Sequence, residues 1–537
     1  MPREEWYVMS GSDIHGGETS PSIFEVEKHA ATNDKQKPIS PGNPRRSEEE
    51  AEKQLAHRSS SPPQHEGTTK HQNPLDDWNG PADLDNPHNW GTWTRVYHAT
   101  VPGLFGFVVT FGTSVYTPAL PLISTSFHIS HTTALLGLTV YTLGLAFGPV
   151  ISAPLSETHG RKIVYLVSSP IFMLFTLGAG FSNSFASLIV CRFFAGMAGS
   201  PALAVGAGTN ADLFPPSRRA VVTSLFLMAP FAGPSLGPVI GGFAAQYKGW
   251  RWTQWCMLFI SVAVYALALP MKETYKPVIL ARRAKKLGIS AEKPSAQSSA
   301  AVKSSLVQNF IRPLHMLCTE PVVFFLSLYN AFAFAILFLF FAAFPLVFQR
   351  PPYNFTTSQS GLTFLGIGLG VLLASLTGVL IDRSIYQPQH QRASAAGKPH
   401  AQPEHRLYSA MVGSFGIPLG LFWFGWAAEA GRHWAVLVVA AVPFAWGNLC
   451  LFISAALFMT DIYGPRNGAS ALAANGIFRY TLGAVFPLFT VQMYQKLGTG
   501  WATSLLGFLS VLMLPIPWVL FKRGPDIRKR SRYPVVM

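Results

Sequence analysis

The sequence predicts an all-α polytopic membrane protein of twelve transmembrane helices in two pseudo-symmetric six-helix bundles. Three observations carry this. Of 537 residues, 49% are hydrophobic and only 12% charged, roughly half the charged share of an ordinary soluble domain. Apolar stretches of about twenty residues, long enough to cross a bilayer core, recur through most of the chain. A short motif that follows the second stretch returns after the eighth.

The stretches lie near 98–120, 133–153, 162–181, 187–207, 219–244, 252–271, 321–347, 360–381, 407–427, 434–458, 468–492 and 501–521. A polar insert with nine Lys and Arg, residues 272–319, divides them six and six. The expected domains are a disordered cytoplasmic tail (1–95), a first six-helix bundle (96–271), a cytoplasmic linker (272–319), a second bundle (320–521) and a basic cytoplasmic tail (522–537). The first tail is rich in Ser, Pro, Glu, Lys and Gln and lacks the apolar surface that would offset chain entropy. MPREEWYVMSGSD has neither the basic start nor the apolar core of a cleavable signal, so the first span is expected to direct insertion.

Net charge is +15, yet the cations sit between spans, not on a soluble domain as a nucleic-acid reader requires. With the N-terminus inside, 34 of the 41 Lys and Arg fall on the cytoplasmic side, five on the other, and two, Arg192 and Arg479, within spans. The positive-inside rule then places both termini in the cytoplasm. Cys191, Cys256, Cys318 and Cys450 have no spacing that suggests a metal site or disulfide framework. No nucleophile elbow, phosphate loop or metal-ligand pair occurs, so neither cofactor nor enzymatic chemistry is expected. Gly366, Gly368 and Gly370 follow no strand and read as close helix packing.

The repeat is APLSETHGRK at 153–162 against GVLIDRS at 378–384, which sets Leu155 and Glu157 against Leu380 and Asp382. Two six-span halves with equivalent loops are the layout of a transporter with its site between them. Asn354-Phe355-Thr356, in the longest loop of the other face, is the one glycosylation sequon.

The chain resembles the major facilitator superfamily, and more closely its fungal twelve-span drug:proton antiporters. In order, over residues 85–532, the matching motifs are DNPHNWGTW (85–93), FGTSVYTPALP (111–121), GPVISAPLSETHGRK (148–162), CRFFAGMAGS (191–200), GPSLGPVIGG (233–242), GWRWTQW (249–255), KETY (272–275), PLGLFWFGW (418–426), SALAANGIFRY (470–480) and FPLF (486–489). The pattern's usual Gly and Asp are Ala153 and Glu157 here. The deep acid that binds the transported proton in many members is not visible, so proton coupling rests on the resemblance.

Candidate residues follow from the charges and the motifs. Glu157, Gly160, Arg161 and Lys162 are expected to form a conformational latch, the acid resting on the start of the eleventh span near Asn467. By symmetry, Asp382 with Arg383 would latch against the start of the fifth. The resemblance gives Arg192 a part in proton or conformational coupling, against a plain bridge to backbone carbonyls; Asp212 is a further interface acid. Isolated polar or amphipathic residues near mid-span, Tyr141, Asn330, Trp446, Asn448, Asn475 and Arg479, are candidates for a mostly aromatic substrate cavity. The Phe-rich seventh span reads either as part of that cavity or as lipid-facing or packed core.

In the fifth span, Pro230, Pro234 and Pro238 alternate with Gly233, Gly237 and Gly241, followed by Gly242. The glycines predict a groove for a neighbouring helix and the prolines a bend. The expected function is export of a small hydrophobic or amphipathic compound, driven by protons, by a functional monomer in the plasma membrane. Alternatives are a vacuolar location, an importer or facilitator of nutrients or polyamines with the same fold, and a non-transporting receptor.

Overall fold

The computed structural model describes residues 77–80, 82–215, 218–287, 310–397 and 401–534. Most of the expected N-terminal tail, the middle of the linker and the last three residues lie outside the described residues. No strand occurs among the described residues. The first half comprises α1 (Thr92–Ser114, prolonged through a short 3-10 turn by Leu120–Phe127), α2 (His131–His159), α3 (Arg161–Gly180), α4 (Phe185–Gly199, continued by Pro201–Leu213), α5 (Arg219–Lys248) and α6 (Arg251–Ala268). The second comprises α7 (Pro321–Phe348), α8 (Thr357–Leu362 and Leu365–Ile381) and α9 (Tyr408–Glu429), then a helical stretch, Trp434–Met513. Gly464 (φ 67°) and Gly498 (φ 76°) break that stretch into α10 (434–464), α11 (467–497) and α12 (499–513), which Pro515–Lys529 continues. Side chains rarely adopt such φ values, so glycine stands at both reversals.

By length and apolarity alone, ten helical segments among the described residues are candidates to cross a membrane. The difference from twelve has two causes. α11 and α12 form one apolar segment, Asn467–Lys529, across the Gly498 break, and α6, with Arg251 and Gln254 in its first turn, has only 18 residues. The outward faces are apolar: Leu369, Leu372, Leu376 and Leu380 form an exposed stripe along α8 at helical spacing. Such a surface is stable against lipid, not water.

The halves meet along two symmetry-related seams, where the second helix of each packs on the fifth of the other. In one, the Thr139 hydroxyl of α2 donates to the Ala484 carbonyl of α11 at 2.9 Å. In the other, the Ser235 hydroxyl of α5 donates to the Phe364 carbonyl beside α8 at 2.9 Å, and the Ser358 N–H donates to Gln246 at 2.9 Å. The phenylalanines of α7 from Phe332 to Phe348 are buried and form packed core, while Phe324 and Phe325 near its start are exposed. α5 runs as one uninterrupted helix through its three prolines, so they do not break it.

Residues 77–90, expected as the end of a disordered tail, are tied to the linker helix Lys276–Lys286. Arg283 pairs with Asp83 at 2.8 Å and Asp85 at 2.6 Å, and Lys276 with Asp77 at 2.6 Å. Burial alone would raise the Asp83 carboxyl, but the N–H groups of Asn79 and Asp85 and the Arg283 guanidinium outweigh it and hold the carboxyl below the usual aspartate value.

Candidate functional site

Two cations lie deep in the helices, and their surroundings differ. Arg192 of α4 donates from Nε to the Gly137 carbonyl of α2 at 2.8 Å and from Nη2 to the Gly112 carbonyl of α1 at 3.0 Å. Its guanidinium stacks on Tyr116 (4.2 Å) and Tyr141 (4.6 Å). Glycine at 112 and 137 leaves room for both phenols, because a Cβ would lie 2.5 Å from the Tyr141 hydroxyl and 2.4 Å from that of Tyr116. Charged hydrogen bonds contribute about 1.5–3 kcal/mol each and cation–π contacts about 0.5–2, which offsets the roughly 2.5–3.5 kcal/mol insertion cost of the charge. Arg192 thus bridges three helices, and Tyr141 is committed to it, not grouped with the other cavity candidates.

Arg479 of α11 makes one hydrogen bond where Arg192 makes two, although Arg192 Nη1 is also buried with no partner among the described residues. The Arg479 guanidinium lies within 4.2–4.8 Å of the Phe452, Tyr480 and Phe334 rings, and Nη2 donates to the Tyr480 hydroxyl at 3.1 Å. Nε is buried without a hydrogen-bond partner among the described residues. Phe231 of α5 closes on Phe334 and Phe452 from the other half, with ring centroids 6.3 and 5.4 Å away. The box repeats one arrangement on three helices: Asn330, Asn448 and Asn475 each precede by four residues one of its members, Phe334, Phe452 and Arg479, so each asparagine shares a face with that member. Asn475 donates to Ser327 of α7 at 3.4 Å and Asn448 to the Ala333 carbonyl at 3.2 Å, while both amide atoms of Asn330 are buried with no partner among the described residues. Trp446 lies apart: its indole donates to Thr377 of α8 at 3.0 Å and anchors α10 there.

The ends of the halves that carry the repeat motif hold matching clusters. In the first, Arg161 Nε meets Asp212 Oδ2 at 3.2 Å, Nη1 donates to Ser156 at 2.7 Å, and the guanidinium covers Tyr275 at 4.7 Å. In the second, Arg406 Nε meets Asp461 at 2.8 Å, Nη1 meets Asp382 at 3.1 Å, and the guanidinium covers Tyr386 at 3.4 Å. Both arginines stand at the start of the third helix of their half and both outer aspartates at the end of the fourth. The Nη1 partner differs, a hydroxyl in one half and a carboxylate in the other.

The expected latch contacts are replaced. Glu157 is exposed, and the carboxylate at a helix start is Glu273, from the KETY motif. It accepts from the Arg161 and Lys162 N–H groups at 2.8 and 3.2 Å, capping α3 within its own half instead of reaching α11. Asp382 is buried by Arg406 and Gln387 of its own half, and Arg383 is exposed. Burial first, then the nearby Glu157 charge, raises the Tyr275 phenol above its ordinary value. Gly160 joins α2 to α3 at φ 98°, where a Cβ would lie 2.4 Å from Glu273 Oε2. Gly160→Ala is therefore expected to cost about 1–3 kcal/mol in backbone strain alone, seen as a lower unfolding midpoint; an unchanged midpoint would refute the cap geometry.

The glycine face of α5 lies on α1. A Cβ at Gly233, Gly237 or Gly241 would lie 2.2 Å from Thr110 Oγ1, 1.8 Å from Ser114 Oγ or 2.4 Å from the Val115 carbonyl. On α8, Gly361 rests on the Pro238 carbonyl, while Gly242 meets the Thr357 carbonyl, so α5 is clasped from both sides. Pro230 and Pro234 are buried. Asn354 is exposed at φ 50°, and the Thr356 hydroxyl of its sequon caps the next helix. Sequence reasoning missed the roles of Glu273, Arg406 and Asp461 and the box aromatics Phe231, Phe452 and Tyr480, while Phe334 lies in the Phe-rich span read as a possible cavity wall; the four-residue step from asparagine, already used for Arg479, was the available signal for Phe334 and Phe452.

Comparison with known proteins agrees with this architecture. A model described as Major Facilitator Superfamily matches residues 103–487. "Polyamine transporter 4" of Saccharomyces cerevisiae is 40% identical over 85% of this chain and 73% of its own length. "Efflux pump radE" of Floropilus chiversii is 35% identical over 86% of each. Among solved structures, the proton:xylose symporter XylE bound to a bromodeoxyglucose aligns with TM-score 0.57 at 16% identity, over 81% of this chain and 96% of that one, a likeness of fold alone. Two bundles joined at equivalent seams, a repeated Arg–Asp cluster and a family match over most of the chain lead to one conclusion: this protein belongs to the major facilitator superfamily.

Proposed function

We propose that this transporter exports small hydrophobic or amphipathic compounds in exchange for protons, by alternating access, with the Arg479 box as its substrate site. The observation that carries the reading is the box itself: a buried cation walled by aromatic rings of both halves, with polar amides of Asn330, Asn448 and Asn475 on the same helix faces. Such a site suits an apolar body oriented by a few polar groups. The name of the Floropilus relative, an efflux pump, supports the direction of transport.

In this reading the Arg161 and Arg406 clusters are latches, made in one state and released in the other. Asp212, on Arg161, receives the proton that frees its latch, and Arg192 transmits the shift through α1, α2 and α4. The charge asymmetry of the loops supports cytoplasmic termini, with the chain acting as a monomer in the plasma membrane and Asn354 glycosylated outside. Polyamine transport is the second reading, favoured by the name of the 40% identical yeast relative. The test is dye efflux from cells expressing the chain with and without a protonophore. Expression is expected to lower dye retention several-fold and the protonophore to restore it; efflux indifferent to the gradient would sink proton exchange.

A further inference from the structure

We infer that Arg479 anchors an anionic head group, so that the transported class is hydrophobic monoanions, an acid on an apolar body, and not polyamines. The inference rests on reading the Arg479 box as the transport site.

Charge placement carries it. Between residues 92 and 521 the described carboxylates are Glu157, Asp212, Glu273, Glu320, Asp382, Glu404, Glu429 and Asp461, and every one lies at or beyond a helix end. Arg479 lies twelve residues from the start of α11, about 18 Å along the axis. A polyamine in the box would find no carboxylate for its ammonium groups and would face a buried guanidinium at low dielectric, where like charges repel strongly. A carboxylate meets the opposite situation. The guanidinium fork matches its two oxygens, Nε is buried with no hydrogen-bond partner among the described residues, and the one side-chain bond recorded, to Tyr480, is neutral.

The apolar part of the ligand follows from the walls. Phe334, Phe452 and Phe231 offer ring faces and no donors, a poor exchange for the hydration shell of a small inorganic anion but a good one for an aromatic or alicyclic body. Asn330, one turn from Phe334 on α7, has both amide atoms buried with no partner among the described residues, so it can donate to a carbonyl or accept from a hydroxyl on that body.

The test is equilibrium binding to the full chain in neutral-lipid nanodiscs, with naphthoate, naphthamide of the same ring position, and spermidine as probes. Naphthoate is expected to bind at least about tenfold tighter than the amide, which differs in charge but hardly in shape, and spermidine not to displace it. Arg479→Gln is expected to erase the acid preference; Tyr480→Phe, which keeps the cation, is expected to retain it and covers the case in which the Gln variant does not fold. Equal binding of acid and amide, no binding of naphthoate, displacement by spermidine, or a preference that survives Arg479→Gln would each overturn the inference. Efflux of the neutral amide from cells separates the two readings: if it is pumped while the acid is not preferred, the anion anchor fails and export stands; if no probe is pumped, export fails.

Discussion

Arg406→Ala is expected to destabilise the protein by about 3–5 kcal/mol, the cost of breaking a buried ion pair from one side. Arg406 and Asp382 have side chains only 5% and 3% exposed, and Asp461 shares the same guanidinium. Removing the cation leaves two carboxylates side by side, one almost wholly out of water. Arg161→Ala is expected to cost less than half as much, because Asp212 is 21% exposed and the other partner, Ser156, is neutral. Thermal unfolding of the purified variants in one detergent checks this; equal drops in midpoint would refute the asymmetry. Replacing Arg406 by Met together with both aspartates by Leu should recover most of the loss, since a buried ionic group and an apolar one of similar volume are often close in stability.

Gly237→Leu is expected to abolish transport while leaving most of the chain inserted. Insertion follows hydropathy, which the change raises. Packing does not tolerate it: the Cβ position already lies 1.8 Å from Ser114 Oγ and 2.9 Å from the Val115 N–H nitrogen. Ser114 is itself held, donating to the Gly233 carbonyl at 3.0 Å, so α5 and α1 must separate. Overpacking of this kind costs about 1–3 kcal/mol, at times more, and α5 also bears on α8 across the seam. Leu236→Ala, one position away on the exposed face, is the control and should leave both insertion and efflux near their starting levels. A fully active Gly237→Leu would refute the close approach.

The spans and their pairing into halves were legible because a bilayer demands long apolar runs and the repeat motif marks equivalent ends. Arg192 and Arg479 stood out for the same reason, as charges where charges are costly. Glu157 was expected to rest on the start of α11, but it is exposed, and its neighbour Ser156 meets Arg161. Neighbouring positions on a helix point about 100° apart, so Ser156 faces Arg161 and Glu157 faces out. The sequence motif contains both residues and cannot say which of the two turns inward. Glu273 was hidden differently: it lies 112 residues from Arg161, and no periodicity links a loop acid to a distant helix start. Residues 77–90 read as solvated tail because composition registers polarity, not the ion pairs that order it. Trp446 shared the amphipathic character of its neighbours, yet one hydrogen bond to Thr377 turns it towards α8.

The Glu273 carboxylate gathers four backbone donors, from Arg161, Lys162, Thr274 and Tyr275. One side chain thereby joins the beginning of α3 to the stretch leaving α6, making that corner of the first half a braced joint. Between the halves, among the described residues, the hydrogen bonds are isolated ones: from Thr139, from Ser235, from Ser358 to Gln246, and from Gln492 to Thr132 at 3.3 Å. In mechanical terms that corner of the first half is a bracket, while the halves themselves are held by close helix packing, as where Gly361 rests on the Pro238 carbonyl, with the polar contacts added to it.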